Sequence, residues 1–216
     1  MLHDGEPTKG SSFAARVISE RDAPALVRLF ESSHSTCFCR YWHFEGDKNE
    51  WLDRSANHAD SSRLELEQAL SSRSPEATGI VATTLDGEVV GWLKLSLVAS
   101  VIKMFQQRYY RSLPCFGGDR SGVHVIGCLL VHPAHRLRGV ARALITEAVA
   151  VAERNGARAI EALPRRTNEP VTGEELWMGP LSVYRELGFI EVHRPADTGH
   201  PDPYPVLRLE LPKHDG

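Results

Sequence analysis

The stretch that most constrains this chain is residues 123–144, where the apolar run VHVIGCLLV passes through Pro133 into a basic loop and then into an amphipathic segment that starts at Gly139. The run reads as a buried strand and the segment after Gly139 as a helix, stopped by Asn155-Gly156. The first-turn N–H groups of such a helix have no intrahelical partner and sit at the positive end of the macrodipole, so the junction suits an anion, phosphate above all. Arg136, Arg138 and Arg142 add positive charge, and Gly139 lacks the Cβ that would hold a bulky diphosphate off the backbone. The loop therefore reads as a pyrophosphate cradle. It is neither a P-loop nor a dinucleotide fingerprint, because Gly-x4-Gly-Lys-Ser/Thr and Gly-x-Gly-x-x-Gly are both absent.

A chain of 216 residues is most simply one domain, here 13–212 behind a flexible tail over 1–12. An apolar share of 42% and a charged share of 25% are those of a globular protein, and a formal charge of −3 gives no electrostatic reason to expect nucleic acid. The first ten residues lack the apolar core of a signal peptide, and no apolar run is long enough to span a bilayer, so a cytoplasmic protein without a membrane partner is expected. Four cysteines, Cys37, Cys39, Cys115 and Cys128, are too few for a disulfide framework and fit a reducing compartment.

The remaining elements follow from local pattern. Residues 13–18 form a first strand; Asp22 caps a helix with Pro24 in its first turn and Leu26, Leu29 and Phe30 on one face. Ser62-x-x-Glu65 resembles a capping box that opens a helix through Leu70. Asp86-Gly87 between two apolar runs signals a hairpin, giving strands over 80–85 and 89–97. Residues 123–131 are the fourth strand, 139–154 the long helix, 159–163 the fifth strand, 180–187 a short helix, 189–193 the sixth strand and 204–211 the seventh, with Leu207, Leu209 and Leu211 inward. Two segments, 32–60 and 100–121, lie outside this pattern, and loops of that length in a compact domain are usually functional or mobile. Their aromatic residues Tyr41, Trp42, Trp51 and Tyr109 can wall a pocket.

Arg136-Leu137-Arg138-Gly139-Val140-Ala141 resembles the Gln/Arg-x-x-Gly-x-Gly/Ala signature of the GNAT superfamily of acyl-CoA-dependent N-acetyltransferases, and Val131-x-Pro133 before it is also typical. A second element of that family, an aromatic residue shortly before Gly-Phe, is matched by Tyr184 ahead of Gly188-Phe189, one strand–helix–strand–helix unit downstream. The resemblance implies a mixed α/β fold whose central seven-stranded sheet is mostly antiparallel, splayed between strands 4 and 5 and flanked by helices. It implies acetyl-CoA as co-substrate, held by Leu129, Leu130 and Val131 along the pantetheine arm and by Arg136, Leu137, Arg138, Gly139, Val140, Ala141 and Arg142 at the pyrophosphate. Backbone N–H groups of residues 129–131 would polarise the thioester carbonyl, and Tyr184 would protonate the departing thiolate; a phenol of pKa about 10 faces a small uphill step against a thiol of about 8.5, which positioning offsets. The amine acceptor would lie between the 32–60 segment and the sheet, attacking directly in a ternary complex. Glu45, Asp47 and Asp119 could draw an ammonium group, while Arg108, Arg111 and Arg120 could instead recognise a carboxylate or a second phosphate.

Several positions depart from the family pattern. The glutamate often found on the fourth strand is missing, leaving His124 and Glu161 as the nearest titratable candidates for a base, with a water chain or a partly neutral acceptor as the other routes. Trp177 stands where the family often has asparagine seven residues before the tyrosine, and Ser182 is a substitute for its contact. His34, Cys37, Cys39 and His43 invite a zinc reading, but paired zinc cysteines are usually spaced by two to four residues, so no metal is expected. Cys37-Phe38-Cys39-Arg40-Tyr41-Trp42 also resembles a segment of some superfamily members, a subgroup mark silent on its role. The reading is an N-acetyltransferase acting on a primary amine of a small molecule or peptide; the rival is a non-catalytic acyl-CoA-binding regulatory module. The acceptor's identity and the oligomeric state, a homodimer included, stay open.

Overall fold

Seven strands form one sheet in the order β1-β2-β3-β4-β5-β7-β6, in a computed structural model that describes residues 12–107, 110–166, 177–193 and 204–212. They are β1 Phe13–Val17, β2 Gly79–Thr84, β3 Val89–Leu97, β4 Val123–Val131, β5 Ala159–Ala162, β6 Ile190–His193 and β7 Val206–Glu210. Only β4 and β5 pair in parallel; every other neighbour is antiparallel. The helices are α1 Ala23–Ser32, α2 Lys48–Asn57, α3 Ala59–Ser71, the single turn α4 Ile102–Phe105, α5 Val140–Arg154 and α6 Leu181–Glu186. This is the expected sheet, with element ends moved by a residue or two.

Both faces of the sheet are covered, which is why β3 is buried from Val89 to Ser96. On one face α5 sets Val140, Leu144, Ile145, Ala148 and Val151 against Ile80, Leu93, Leu95 and Leu129. At roughly 1.5–3 kcal/mol for each fully buried aliphatic side chain, that stripe dominates the helix's attachment. Its N-terminal turn lies tight on β3 at Gly91, where a Cβ would sit 2.7 Å from Val140 Cγ1 and 3.0 Å from Leu144 Cδ1. A larger residue there would lift the turn from the sheet. On the other face α1 and α3 pack Leu26, Leu29, Phe30, Leu66 and Leu70 against Val81 and Trp92.

One irregularity in β4 shapes the site. Lys94 is opposite Cys128 and Leu95 opposite Ile126, so Gly127 is left over as a β-bulge. The extra residue inverts the alternation: Val123 and Val125 face one side, and beyond the bulge Cys128 joins that side while Leu129 packs with Ile126 under α5. Past Ile126, β4 also parts from β5, because the parallel pairing stops at Ile126 and Ala162. The splay is thus in place between the expected strands.

Two capping assignments differ from expectation. Ser62 and Glu65 sit inside α3, which starts at Ala59; Ser62 Oγ accepts from Arg54 Nε at 3.0 Å, and Glu65 pairs with Arg40 and Arg54. The capping box is Asp47 with Glu50, opening α2 within the segment read as irregular: the Asp47 carboxylate accepts from Asn49 and Glu50 N–H, and Glu50 accepts from Asp47 N–H at 2.7 Å. Asp22 flanks α1 without capping it. Its carboxylate turns back to Ser19 N–H at 2.8 Å and to Arg16 at 2.6 and 2.7 Å.

Candidate active site

The β4–α5 junction has the geometry of an anion cradle. After a 3-10 turn at Pro133–His135, Leu137 and Gly139 both take positive φ, +60° and +92°, folding the chain so that Gly139 becomes the N-cap of α5. A Cβ on Gly139 would meet no protein atom within 4 Å, so the structure calls for glycine there by backbone conformation alone and not by packing. Arg136 Nε donates to Val131 O at 3.3 Å and latches the loop to the end of β4. Leu137 and Arg138 are exposed at the rim, Val140 is buried beneath, Ala141 is half-buried against the core, and Arg142 is paired with Glu186 of α6. Arg138 and Arg142 are both exposed, and Arg142 is held by Glu186.

Along the splayed edge, strand alternation aims the amides of Leu129 and Val131 away from β3, whereas that of His132 bonds to Val90 O at 2.9 Å, and Leu130 shares that orientation. The Leu129 N–H is taken by the Trp177 carbonyl at 2.6 Å. Trp177 therefore closes the first open amide of β4 through its backbone, a contact that its side chain could not have revealed. Tyr184 lies directly behind: its ring is fully buried, packed edge-on against Phe189 at 5.2 Å, and its hydroxyl donates to Met178 O at 2.9 Å. Burial, and then the neighbouring Cys128, push the phenol's pKa well up, so it stays protonated and its proton transfer to a thiolate is steeper than the small step an ordinary phenol would face. Ser182, on α6, is exposed.

A cavity of about 810 Å³ opens on the face of β4 that carries Cys128 and Leu130, under the 33–42 segment and α2. Tyr41, Trp42 and Trp51 wall it as expected, joined by Trp177, Tyr110 and Tyr204. The rings interlock: Tyr41 is 4.7 Å from Trp42 and 5.2 Å from Trp51, and Trp42 is 5.8 Å from Trp177. Trp42 also braces the bulge, its Nε1 donating to Gly127 O at 2.8 Å, and Lys103 ties the 41–46 turn down by donating to Phe44 O at 2.6 Å. Among the described residues, none of the acids expected to attract an amine reaches the cavity. Glu45 is exposed, Asp47 caps α2, and Asp119 binds Ser121 and Arg158. Arg111 is exposed and Arg120 is committed to Glu161; Arg108 and Tyr109 lie outside the described residues.

Neither base candidate borders the cavity. His124 shares the α5 face of β4 with Ile126, and burial lowers its pKa. Glu161 is fully buried on β5 and held by Arg120 and by Arg208 at 2.9 Å. Among the described residues no group of three His, Cys, Asp or Glu is arranged to hold a metal. Instead Cys39, Cys128, the Trp92 indole and the fully buried Lys94 come together beneath the cavity, with Cys37 beside them, its Sγ 3.4 Å from the Cys39 amide. Burial alone would raise the Cys39 pKa, yet hydrogen bonding from Cys128, the Lys94 charge and the Trp92 N–H lower it to about 6. A lysine inside the apolar run of β3 was the available sequence signal.

The site thus combines a seven-stranded sheet splayed at its parallel pair, a glycine-capped helix N-terminus after the splayed strand and a cavity beside it. The model of the acetyltransferase (GNAT) family matches residues 29–189, and the chain belongs to that family. Its fold is shared with yncA of Salmonella typhimurium, solved with its cofactor acetyl-CoA, at a TM-score of 0.55 and 17% identity over 95% of this chain and 98% of that one. The PaiA N-acetyltransferase of Thermoplasma acidophilum, in complex with coenzyme A, matches at 0.53 and 13% identity over 93% and 99%, and an N-acetyltransferase of Staphylococcus aureus Mu50 at 0.53 and 14% over 94% and 100%. No curated protein sequence matches the chain. No helix among the described residues is long and apolar enough to cross a membrane.

Proposed function

We propose that this protein transfers the acetyl group of acetyl-CoA to a primary amine of a small molecule or peptide, by direct attack within a ternary complex, in one domain over residues 13–212. The observation that carries the reading is the continuity of the site: the anion cradle at Gly139 leads along the unpaired edge of β4 into the aromatic cavity. The pyrophosphate fits over the first turn of α5, with Arg138 free to close on it and Arg136, Leu137, Val140, Ala141 and Arg142 shaping the turn. The pantetheine arm follows Leu129, Leu130 and Val131. Val131 N–H is the open donor, and the thioester carbonyl reaches Leu129 N–H by displacing the Trp177 carbonyl. The amine enters through the cavity, its nitrogen bonds to the carbonyl carbon, and the carbon–sulfur bond breaks with its electron pair on the CoA sulfur. Tyr184, at the back of the splay beside Leu129, protonates that sulfur after its hydroxyl leaves Met178 O. Four unpaired cysteines suit a cytoplasmic setting.

The test is acetyl-CoA turnover across an amine panel of phenethylamine, spermidine, lysine and a free-N-terminus peptide, with the mass of each product measured. One N-acetylated product with matching CoA release is expected. CoA binding without turnover of any amine would favour the acyl-CoA-binding module instead.

A further inference from the structure

We propose that Cys39 is the base of this reaction: its thiolate, on the floor of the cavity, takes the proton from the attacking amine. The inference rests on the acetyl-transfer reading above. Cys39 and Cys128 both line the cavity, as do Leu129 and Leu130, so the two thiols border the same space as the strand residues assigned to the pantetheine arm.

Charge accounting around the cavity floor supports a thiolate. Lys94, on β3, is fully buried, which lowers its pKa against the opposing pull of Cys39, Cys128 and Glu76; it donates to the Glu76 carbonyl, and Arg40 is buried beside it, paired with Glu65 and Glu76. Arg54 shares Glu65, so three cations face two carboxylates. A buried cation without a counter-ion is costly, and a Cys39 thiolate supplies the missing charge. The other groups that face it are thiols or neutral. Burial raises the Cys37 pKa, and Cys128 is raised well above the ordinary thiol value because it donates to Cys39 and is itself buried. His43, lowered to about 4 by burial and by Lys94, is neutral at physiological pH. The Trp92 indole N–H, fully buried and without a hydrogen-bond partner of its own, adds its dipole to what lowers the Cys39 pKa. A pKa of about 6 leaves Cys39 ionised at neutral pH and close enough to it to accept a proton.

In the step, the amine nitrogen forms its bond to the acetyl carbon and its N–H proton passes to Cys39 Sγ. The carbon–sulfur bond of the thioester breaks and the CoA thiolate takes its proton from Tyr184. Cys39 returns its proton to water at the cavity mouth and Tyr184 is reprotonated from solvent, so the step is proton-neutral from the free amine; an ammonium acceptor first loses one proton to solvent, and that proton is the one the overall reaction releases.

The proposal is tested by thiolate ultraviolet absorbance, titrated in wild type against Cys39→Ser, together with kinetics on phenethylamine or the fastest amine of the panel. The expected difference spectrum titrates near 6 and moves to higher pH in Lys94→Met. Cys39→Ala is expected to lower kcat/KM by about 10²–10⁴-fold and to lose the acid limb of the wild-type pH profile with CoA affinity unchanged, and to lower the melting temperature because the Lys94 charge loses its counter-ion. A Cys39 thiol that titrates near the ordinary value of about 8.5, a wild-type pH profile in Cys39→Ala, or an acetyl group found on Cys39 by peptide mass mapping would overturn it. Failure of every amine to turn over would remove the reaction itself, and is told apart from failure of the base by wild-type activity.

Discussion

Replacing Gly139 by valine separates the cradle from the fold. At φ +92° a β-branched residue is strained by roughly 1–3 kcal/mol, but its Cβ meets no protein atom within 4 Å, so strain is the whole structural cost. Against a domain stability of about 5–15 kcal/mol the variant folds, and at about 2–4 °C per kcal/mol the melting temperature falls by roughly 2–12 °C. Binding suffers more. The new side chain occupies the space in front of the α5 N-terminus, where a pyrophosphate oxygen would take one or two charge-assisted bonds of about 1.5–3 kcal/mol each. CoA affinity should drop at least tenfold and, with both bonds lost, more than a hundredfold. Gly139→Ala should fall between. Titration calorimetry with CoA, beside circular dichroism melting, reads both quantities. An unchanged CoA affinity in a folded Gly139→Val protein would refute the reasoning and move the cofactor elsewhere.

Tyr184→Phe is expected to reduce kcat about ten- to a thousandfold with little change in acetyl-CoA KM; wild-type turnover would mean that the ring only packs. Trp51→Ala, on a half-buried cavity wall away from the cradle, should raise acceptor KM while CoA affinity stays constant, and equal losses in both would remove the cavity from acceptor binding. Trp42→Ala is a poorer probe of the same wall, because it also frees the Gly127 carbonyl and should cost about 3–5 kcal/mol in urea unfolding. Burial alone would raise the Asp22 pKa, but Arg16 and Ser19 outweigh it and hold it below the ordinary value. The stability this provides is present above the unfolded carboxylate pKa and lost as pH falls through the folded one. Asp22→Asn should thus flatten the acid end of the stability curve, as read by urea midpoints against pH.

What could be read in the sequence was what local pattern controls. The hairpin at Asp86-Gly87, the apolar run of β4 and the glycine that caps α5 are each decided by a few neighbouring residues, and each stands where the pattern puts it. The bulge was hidden because one extra residue leaves the apolar pattern of β4 nearly intact while turning Cys128 into the cavity and Leu129 under α5; the glycine inside the strand was its one local sign. The two acidic capping motifs were indistinguishable by spacing. Arg40 and Arg54, from other segments, claim Glu65 for ion pairs, whereas among the described residues no cation pairs with Glu50. The surroundings of the Cys/His cluster were hidden for the same reason, since Lys94, Trp92 and Cys128 are far from Cys39 in chain order. Tyr184 and Gly139 were legible as site residues only through their motifs, and the Trp177 carbonyl on Leu129 was not legible at all.

The most direct measurement is a stoichiometric one: purified protein is mixed with acetyl-CoA and the amine panel, and released CoA thiol is counted against N-acetylated amine by mass spectrometry. The expected result is one acetylated amine for each thiol released, with both abolished in Gly139→Val. CoA bound at the cradle with no acetylated amine formed would contradict the account.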